Sequence, residues 1–190
     1  MILFSTEEVK RSLFRSIAFL IIFSIMNSFP IAYSESYQDK EYQIKAAFLY
    51  NFAKFVEWPD TALSNDSDAL YVCILGDDPF GDAIETIEGK TVKGKKVIIK
   101  NCTSIEDIKK CHVLFICSSE KKKLTSILMD VRNLHVLTVS DMEEFCGHGG
   151  MINLIPVNNR IGFEINLSAA HRAGLNISSQ LLKLAKDVIE

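Results

Sequence analysis

The sequence has no excess of positive charge, no internal repeat and no low-complexity segment. Its 21 lysines and arginines stand against 24 aspartates and glutamates, which gives a formal net charge of −3 over 190 residues. A mildly acidic chain with scattered lysines argues against a nucleic acid as partner. With 48% hydrophobic residues, the chain has enough apolar surface for one globular domain with a real core.

Paired metal-binding spacings and glycine-rich nucleotide motifs are also missing. Structural zinc sites usually show Cys-x-x-Cys or His-x-x-x-His spacing, and neither occurs here. The turn GDDPFG at residues 76–81 lacks the glycine spacing of a dinucleotide-binding loop and the lysine of a P-loop. Asp77 and Asp78 would repel a phosphate at a helix N-terminus. We therefore predict a tight turn followed by a helix capped by Asp78, and no cofactor or metal.

No apolar run in the N-terminal region reaches the length of about 20 residues that spans a bilayer. Lys10, Arg11 and Arg15 precede the apolar stretch Ile17–Ile25, and Ala32-Tyr33-Ser34 offers a small-x-small cleavage pattern. This arrangement is typical of a secretory signal peptide. We predict that residues 1–34 are removed and that residues 35–190 form a single exported domain. An uncleaved anchor helix is the alternative.

All five cysteines lie in the exported part, at positions 73, 102, 111, 117 and 146. An oxidising compartment favours a disulfide, and the odd number leaves at least one thiol unpaired. The spacing alone does not give the connectivity.

Alternation of apolar strands and helices predicts the fold. Nearly continuous apolar runs at Ala69–Leu75, Val113–Cys117 and His135–Val139 suit strands covered on both faces. Helices between them imply parallel strands with right-handed crossovers, in a Rossmann-like three-layer α/β/α domain. The segments Met151–Ile155 and Arg160–Leu167 then predict an antiparallel hairpin that ends the sheet. Two further helices are predicted at Ala169–Arg172 and Ser178–Val188.

The segment KAAFLYNFAKFVEWP, residues 45–59, predicts an aromatic-rich helix that ends near Trp58, because Pro59 disfavours helical geometry at the residue before it. At 100° per residue, one broad apolar face is expected to pack on the sheet; its members are Ile44, Ala47, Phe48, Phe52, Phe55 and Trp58. Asn51 falls within this face, and we expect its side chain to hydrogen-bond a neighbouring backbone.

Cys146 and His148 suggest a thiol nucleophile with its base, with the amides of Gly147, Gly149 and Gly150 as oxyanion donors. The sequence offers no third residue to orient the histidine. Tight backbone packing explains the glycines more simply, so we predict that the chain is not an enzyme and keep a periplasmic thiol hydrolase as an alternative.

Six spaced segments between residues 42 and 186 resemble the YfiR family, periplasmic proteins of bacterial cyclic-di-GMP signalling. They are KAAFLYNFAKFVEWP, VCILGDDPFG, CHVLF, VLTVSD, GGMIN and FEINLSAAHRAGL with SSQLLKLA. The resemblance implies a disulfide between Cys73 and Cys111. It also implies a second bridge from Cys146 to position 153, but Asn153 stands there. Either that bridge is lost or Cys146 pairs elsewhere.

The resemblance further implies a regulator that holds a membrane-bound diguanylate cyclase inactive by binding its periplasmic domain. An outer-membrane lipoprotein is the implied sequestering partner, and a homodimer is a family expectation. Glu164, Asn166, His171 and Arg172 match the region implicated in partner control, although Glu164 could instead pair with Arg172 or Arg160. The rival hypothesis is a small-molecule sensor with a pocket at the carboxyl ends of the strands.

Overall fold

The computed structural model describes residues 37–63 and 68–190. The predicted signal peptide, residues 1–34, lies outside the described residues. The described residues belong to one compact unit. None of the helices in the described ranges combines the length and the hydropathy that a membrane span needs.

Helices and strands alternate through most of the described chain. The α-helices are α1 Tyr37–Phe55, α2 Asp60–Leu63, α3 Ile105–Ile108, α4 Leu124–Val131, α5 Leu167–Arg172 and α6 Ser179–Leu182. Two 3-10 segments lie at Gly81–Ile87 and Ser118–Lys123. The strands are β1 Val56–Glu57, β2 Ala69–Leu75, β3 Thr91–Val92, β4 Lys95–Cys102, β5 Val113–Ile116, β6 Leu137–Ser140, β7 Ile152–Val157, β8 Arg160–Asn166, β9 Asn176–Ile177 and β10 Asp187–Ile189.

The main sheet has eight strands in the order β3-β4-β2-β5-β6-β7-β8-β10. The five strands from β4 to β7 are parallel to one another, whereas β3 runs antiparallel to β4 and β8 runs antiparallel to β7. A Rossmann-like, mostly parallel sheet with an antiparallel hairpin is therefore confirmed. Strand order reverses at β2, so the switch point of this doubly wound sheet lies between the carboxyl ends of β2 and β5.

Both faces of the sheet are covered, which gives the three predicted layers. In β2, Val72 and Ile74 join the larger core cluster with α1, while Cys73 and Leu75 join a second cluster with α3 and α4. This split follows from the alternation of side chains along a strand. We call the two sides the α1 face and the α4 face.

The first helix is rotated relative to the predicted orientation. Its fully buried residues are Ala46, Leu49, Phe52 and Ala53. Ile44, by contrast, is 48% exposed, and Asn51 is exposed, so the expected backbone contact of Asn51 is wrong. The helix also ends at Phe55, before a short strand. The predicted face was placed on the aromatic residues. In the structure, small alanines lie at the centre of the buried face, and they let α1 approach the sheet closely.

The predicted C-terminal helix Ser178–Val188 is wrong. Only α6 forms, capped by the Ser178 hydroxyl, which accepts the Leu181 N–H. The chain then leaves the helix, and β10 pairs in parallel with β8. The hairpin is therefore not the edge of the sheet. The open edge of β8 offers backbone partners that outweigh the helical preference of this segment.

The hairpin turn is shorter than predicted. Asn158 and Asn159 adopt φ values of 47° and 59°, and Val157 pairs directly with Arg160. Two successive residues with positive φ characterise a two-residue type I′ turn, whose twist matches the flanking strands. Asparagine tolerates this conformation better than most residues.

Candidate functional site

The predicted bridge between Cys73 and Cys111 is present. It joins the middle of β2 to the residue that precedes His112 at the entrance of β5, with Cα atoms 6.0 Å apart. Both residues are buried on the α4 face. The bridge thus ties two adjacent parallel strands near the centre of the sheet.

Cys102, at the end of β4, lies beside this bridge. Its Sγ atom is 3.5 Å from Sγ of Cys111, and all three sulfur atoms lie within 4.8 Å of one another. Burial raises the pKa of the Cys102 thiol, and the Asp107 carboxylate adds to the effect. The thiol is free and protonated at neutral pH. Sequence reasoning missed this sulfur cluster, because it depends on the register between β2 and β4.

A cavity of about 200 Å³ opens beside Cys111 at the amino ends of β5 and β6. Lys109, Lys110 and His112 contribute to its lining. His112 is buried, and its Nδ1 accepts the Tyr71 N–H at 3.1 Å. Burial lowers the pKa of this histidine, so the ring is neutral at pH 7. Of the three cysteines in the sulfur cluster, Cys111 is the one that lines this cavity.

Cys146 lacks the properties of a nucleophile. Its Sγ lies 3.8 Å from the carbonyl oxygen of Met151 and 3.7 Å from that of Glu164. Burial, followed by the nearby Glu164 carboxylate, raises the pKa of its thiol to about 12. A reactive cysteine needs an environment that stabilises the thiolate, and this one favours the thiol.

The glycines after Cys146 serve the fold. Gly149 donates its N–H to the Cys146 carbonyl and Gly150 donates to that of Phe145, so neither amide is available as an oxyanion donor. A Cβ atom on Gly150 would lie 2.1 Å from the Phe145 ring. Close packing explains this glycine, and the geometry gives no support to the thiol hydrolase.

Asn153 replaces the second half of the bridge that the resemblance implies, and Cys146 is a free thiol. Asn153 is 1% exposed, and its Oδ1 has no hydrogen-bond partner among the described residues. A buried amide oxygen without a partner costs free energy. Because Cys146 is a free thiol, it does not pair elsewhere, and the second bridge is lost.

The four predicted partner-binding residues differ in exposure and in bonding. Asn166 is 8% exposed and caps α5: its Oδ1 accepts the Ala169 N–H at 2.8 Å, and its Nδ2 donates to the Cys146 carbonyl at 2.9 Å. His171 and Arg172 are exposed in the last turn of α5, whose alanines pack into the α1 face. Glu164 is half-buried and points away from its neighbour Phe163, toward the α4 face.

None of the described ion pairs joins Glu164 to Arg160 or Arg172. The alternative in which Glu164 is neutralised by one of these arginines therefore receives no support.

The GDDPFG turn and Ser119, which follows β5, fill the switch point together. Asp78 accepts the Phe80 N–H at 2.8 Å but caps no α-helix, because the following segment is a 3-10 helix. A Cβ atom on Gly76 would lie 2.4 Å from the Ser119 hydroxyl, which accepts the Asp77 N–H at 2.9 Å. Ser119 thus occupies the crevice in which folds of this kind hold a phosphate.

A buried ion-pair cluster lies next to this crevice and was not predicted. Lys45 is 5% exposed, and its Nζ lies 2.6 Å from both Asp141 Oδ2 and Glu41 Oε1. Tyr42 donates its hydroxyl to the same Asp141 oxygen at 3.1 Å. Burial lowers the pKa of Lys45, but hydrogen bonds to Asp141 and Glu41 outweigh it, and the net pKa is raised. The sequence feature that could have indicated this cluster is Asp141, the charged residue at the end of VLTVSD, directly after an apolar strand.

Comparison with solved structures shows the fold alone. An ABC domain from Streptococcus pneumonia, solved in complex with L-Trp, has a TM-score of 0.51 and 11% identity over 78% of this chain. A conserved domain protein from Vibrio cholerae O1 biovar El Tor has a TM-score of 0.46 and 10% identity over 77% of this chain. The chain spans about 60% of the length of each.

Comparison with protein families is more specific. The sequence profile of the YfiR/HmsC-like family matches residues 42–186, which include the sulfur cluster, the Lys45–Asp141 pair, the GDDPFG turn and the hairpin. The chain belongs to the YfiR/HmsC-like family.

Proposed function

We propose that this chain is a periplasmic regulator of cyclic-di-GMP signalling that restrains a membrane-bound diguanylate cyclase by binding its periplasmic domain. The observation that carries the proposal is the family match over residues 42–186. A buried disulfide between Cys73 and Cys111 supports an oxidising compartment. Cleavage of residues 1–34 as a signal peptide, which leaves residues 35–190 as the mature domain, belongs to the same proposal.

The mechanism is differential binding rather than chemistry. A ligand shifts a two-state receptor only by its difference in affinity for the two states. We therefore infer that the regulator binds the inactive state of the cyclase sensor more tightly. Sequestration by an outer-membrane lipoprotein would lower the free concentration of the regulator and release the cyclase. A homodimer is compatible with this scheme and changes only the stoichiometry.

Glu164, His171 and Arg172 are the candidate partner contacts, because their side chains remain accessible. Asn166 supports this region from within, since both ends of its amide are already hydrogen-bonded. The two basic residues at the exposed end of α5 suit an acidic surface on the sensor.

The test uses a deletion strain and complementation. Deletion should raise the cellular level of cyclic-di-GMP. The wild-type gene should return it to the original level, and the double variant His171→Glu, Arg172→Glu should fail to do so. The matched control is Lys121→Glu, Lys122→Glu, which likewise replaces two exposed basic residues with glutamates, in another segment. Periplasmic levels of all variants are compared by immunoblot.

A membrane pull-down completes the test. The tagged wild type should recover a diguanylate cyclase, and the α5 variant should recover much less. Unchanged cyclic-di-GMP in the deletion strain, together with no cyclase in the pull-down, contradicts the proposal. Equal loss with both double variants would contradict the assignment to α5 while leaving the regulator itself in place.

A small-molecule sensor is the second candidate function. It is favoured by an open groove beside the carboxyl end of β4, lined in part by Asp78, Glu85 and Glu88. Three carboxylates there suit a cationic ligand. Thermal-shift screening with polyamines and basic amino acids should find a saturable stabiliser if this candidate is correct, since a ligand that binds the native state raises its stability.

A further inference from the structure

Cys73, Cys102 and Cys111 place three sulfur atoms together on the α4 face. In the parallel pairing of β2 with β4, Cys102 lies opposite Leu75, two residues beyond Cys73. Residues two apart on a strand share a face, so Cys102 and Cys73 project to the same side. The backbone therefore assembles three soft ligands within 4.8 Å of one another, two of which are joined in a disulfide.

We propose that these three cysteines form a binding site for cuprous copper, Cu(I), which the Cys73–Cys111 disulfide keeps closed and which reduction of that disulfide opens. Thiolates select soft ions such as Cu(I) and Zn²⁺. A structural zinc site requires four protein ligands in a tetrahedron. The sulfur cluster supplies three ligands, and no His, Asp or Glu of the described chain joins them within this distance. Three sulfurs without a fourth protein ligand favour Cu(I).

Opening the site is a two-electron step. A dithiol, either a thiol–disulfide oxidoreductase or a small dithiol, gives two electrons and two protons to Cys73 and Cys111 and becomes a disulfide itself. One Cu(I) ion then binds the three sulfurs, and each coordinating thiol releases its proton to solvent. Copper changes neither its charge nor its oxidation state.

The surroundings provide both access and charge compensation. Cys111 is the member of the sulfur cluster that lines the cavity of about 200 Å³, so a reductant or an ion from solvent would approach the cluster on the Cys111 side. Lys100 lies opposite Cys73 in the strand pairing, and its Nζ sits 3.8 Å from the centre of the Tyr71 ring. Its positive charge offsets part of the negative charge of a copper–thiolate group. The Asp107 carboxylate has the opposite effect, because its negative charge disfavours a thiolate at Cys102.

The experiment compares reduced and oxidised protein purified from the periplasm. Under anaerobic conditions, Cu(I) alone is titrated into each form against the chelator bathocuproine disulfonate. Reduced wild type should retain one Cu(I) per chain, and oxidised wild type should retain none. Because loss of an outer-shell partner already costs about 10- to 100-fold in metal affinity, Cys102→Ser should weaken binding by at least about 100-fold. X-ray absorption should count three sulfur ligands in the wild type and two in this variant.

Cys117→Ser and Cys146→Ser are the matched controls, since both remove a buried free thiol outside the cluster. They should leave the copper affinity unchanged. Equal retention by Cys102→Ser and wild type would overturn the proposal, as would preferential binding of zinc. Equal weakening by the control variants would show that copper binds an unfolded, cysteine-rich chain, and would also overturn it.

Discussion

The Lys45 ammonium lies 2.6 Å from Asp141 Oδ2, so the middle of α1 is fixed to the residue that follows β6 across 96 positions of sequence. Tyr42 shares the same oxygen through its hydroxyl. A single carboxylate thus holds two side chains of one helical turn. The cluster fixes α1 beside the switch point, while the apolar contacts of Phe52 and Leu49 supply most of the buried surface.

Replacing Lys45 with methionine should destabilise the protein. The change leaves two carboxylates close together without their cation, and breaking a buried pair costs about 3–5 kcal/mol. Because Glu41 is 31% exposed, we expect a smaller loss of about 2–3 kcal/mol. Chemical denaturation measures the effect. Lys122→Met, at an exposed position, should change stability by less than about 0.5 kcal/mol. A similar effect of both changes would contradict the assigned role.

Stability should fall at alkaline pH because of the buried thiols. Burial raises the pKa of Cys117 to about 12 in the folded chain from an ordinary value of 9.0, as it does for Cys146. A raised folded pKa gives stability that is complete below the unfolded pKa and is lost as pH rises toward the folded one. The window is therefore pH 9 to about 12. The double variant Cys117→Ser, Cys146→Ser should show a shallower loss of unfolding free energy in that window. An unchanged slope would contradict this account.

Removing Cys73 should cause Cys102 to take its place. In the variant Cys73→Ser, the Cys102 and Cys111 sulfurs lie close enough to bond, and the periplasm supplies the oxidant. Non-reducing peptide mapping of this variant should find the Cys102–Cys111 bridge. Its loop spans 9 residues of sequence rather than 38, so it should contribute about 1 kcal/mol less stability than the native bridge. Recovery of both residues as alkylated free thiols would show that the prediction is wrong.

Gly150→Ala should destabilise the turn after Cys146. The new methyl group meets the Phe145 ring at 2.1 Å, and overpacking of this kind costs about 1–3 kcal/mol. Phe145→Leu introduced together with Gly150→Ala should recover part of the loss, because the leucine side chain frees that space. Thermal denaturation of the three variants measures the coupling. Strict additivity of the two single effects would argue against this contact.

The central strands of the sheet could be predicted from the sequence, but the face of α1 that packs against the sheet could not. Continuous apolar runs predicted β2, β5 and β6 because strands buried on both faces need apolar residues at every position. The orientation of α1 was wrong because several aromatic rings lie at the border of the buried face, whereas alanines lie at its centre. The C-terminal strand β10 escaped prediction because only the open edge of β8 makes that segment extended.

The two clusters of functional interest depend on contacts distant in sequence. Lys45 and Asp141 are 96 residues apart, and nothing in either local sequence pattern indicates the other. The approach of Cys102 to Cys111 depends on the pairing of β4 with β2. The Cys73–Cys111 bridge was therefore predicted only from the family resemblance, and no motif indicated that the sulfur of Cys102 lies beside it.

The ring of Phe163 packs against Phe48 and Phe52 of α1, with centroids 5.6 Å and 5.1 Å apart. Glu164 is the next residue of the same strand and faces the opposite side. A rigid strand cannot shift at one of these positions without moving the other. A displacement of β8 at Glu164 would therefore also move Phe163 against the first helix, so the two faces of the sheet are mechanically coupled at this pair of residues.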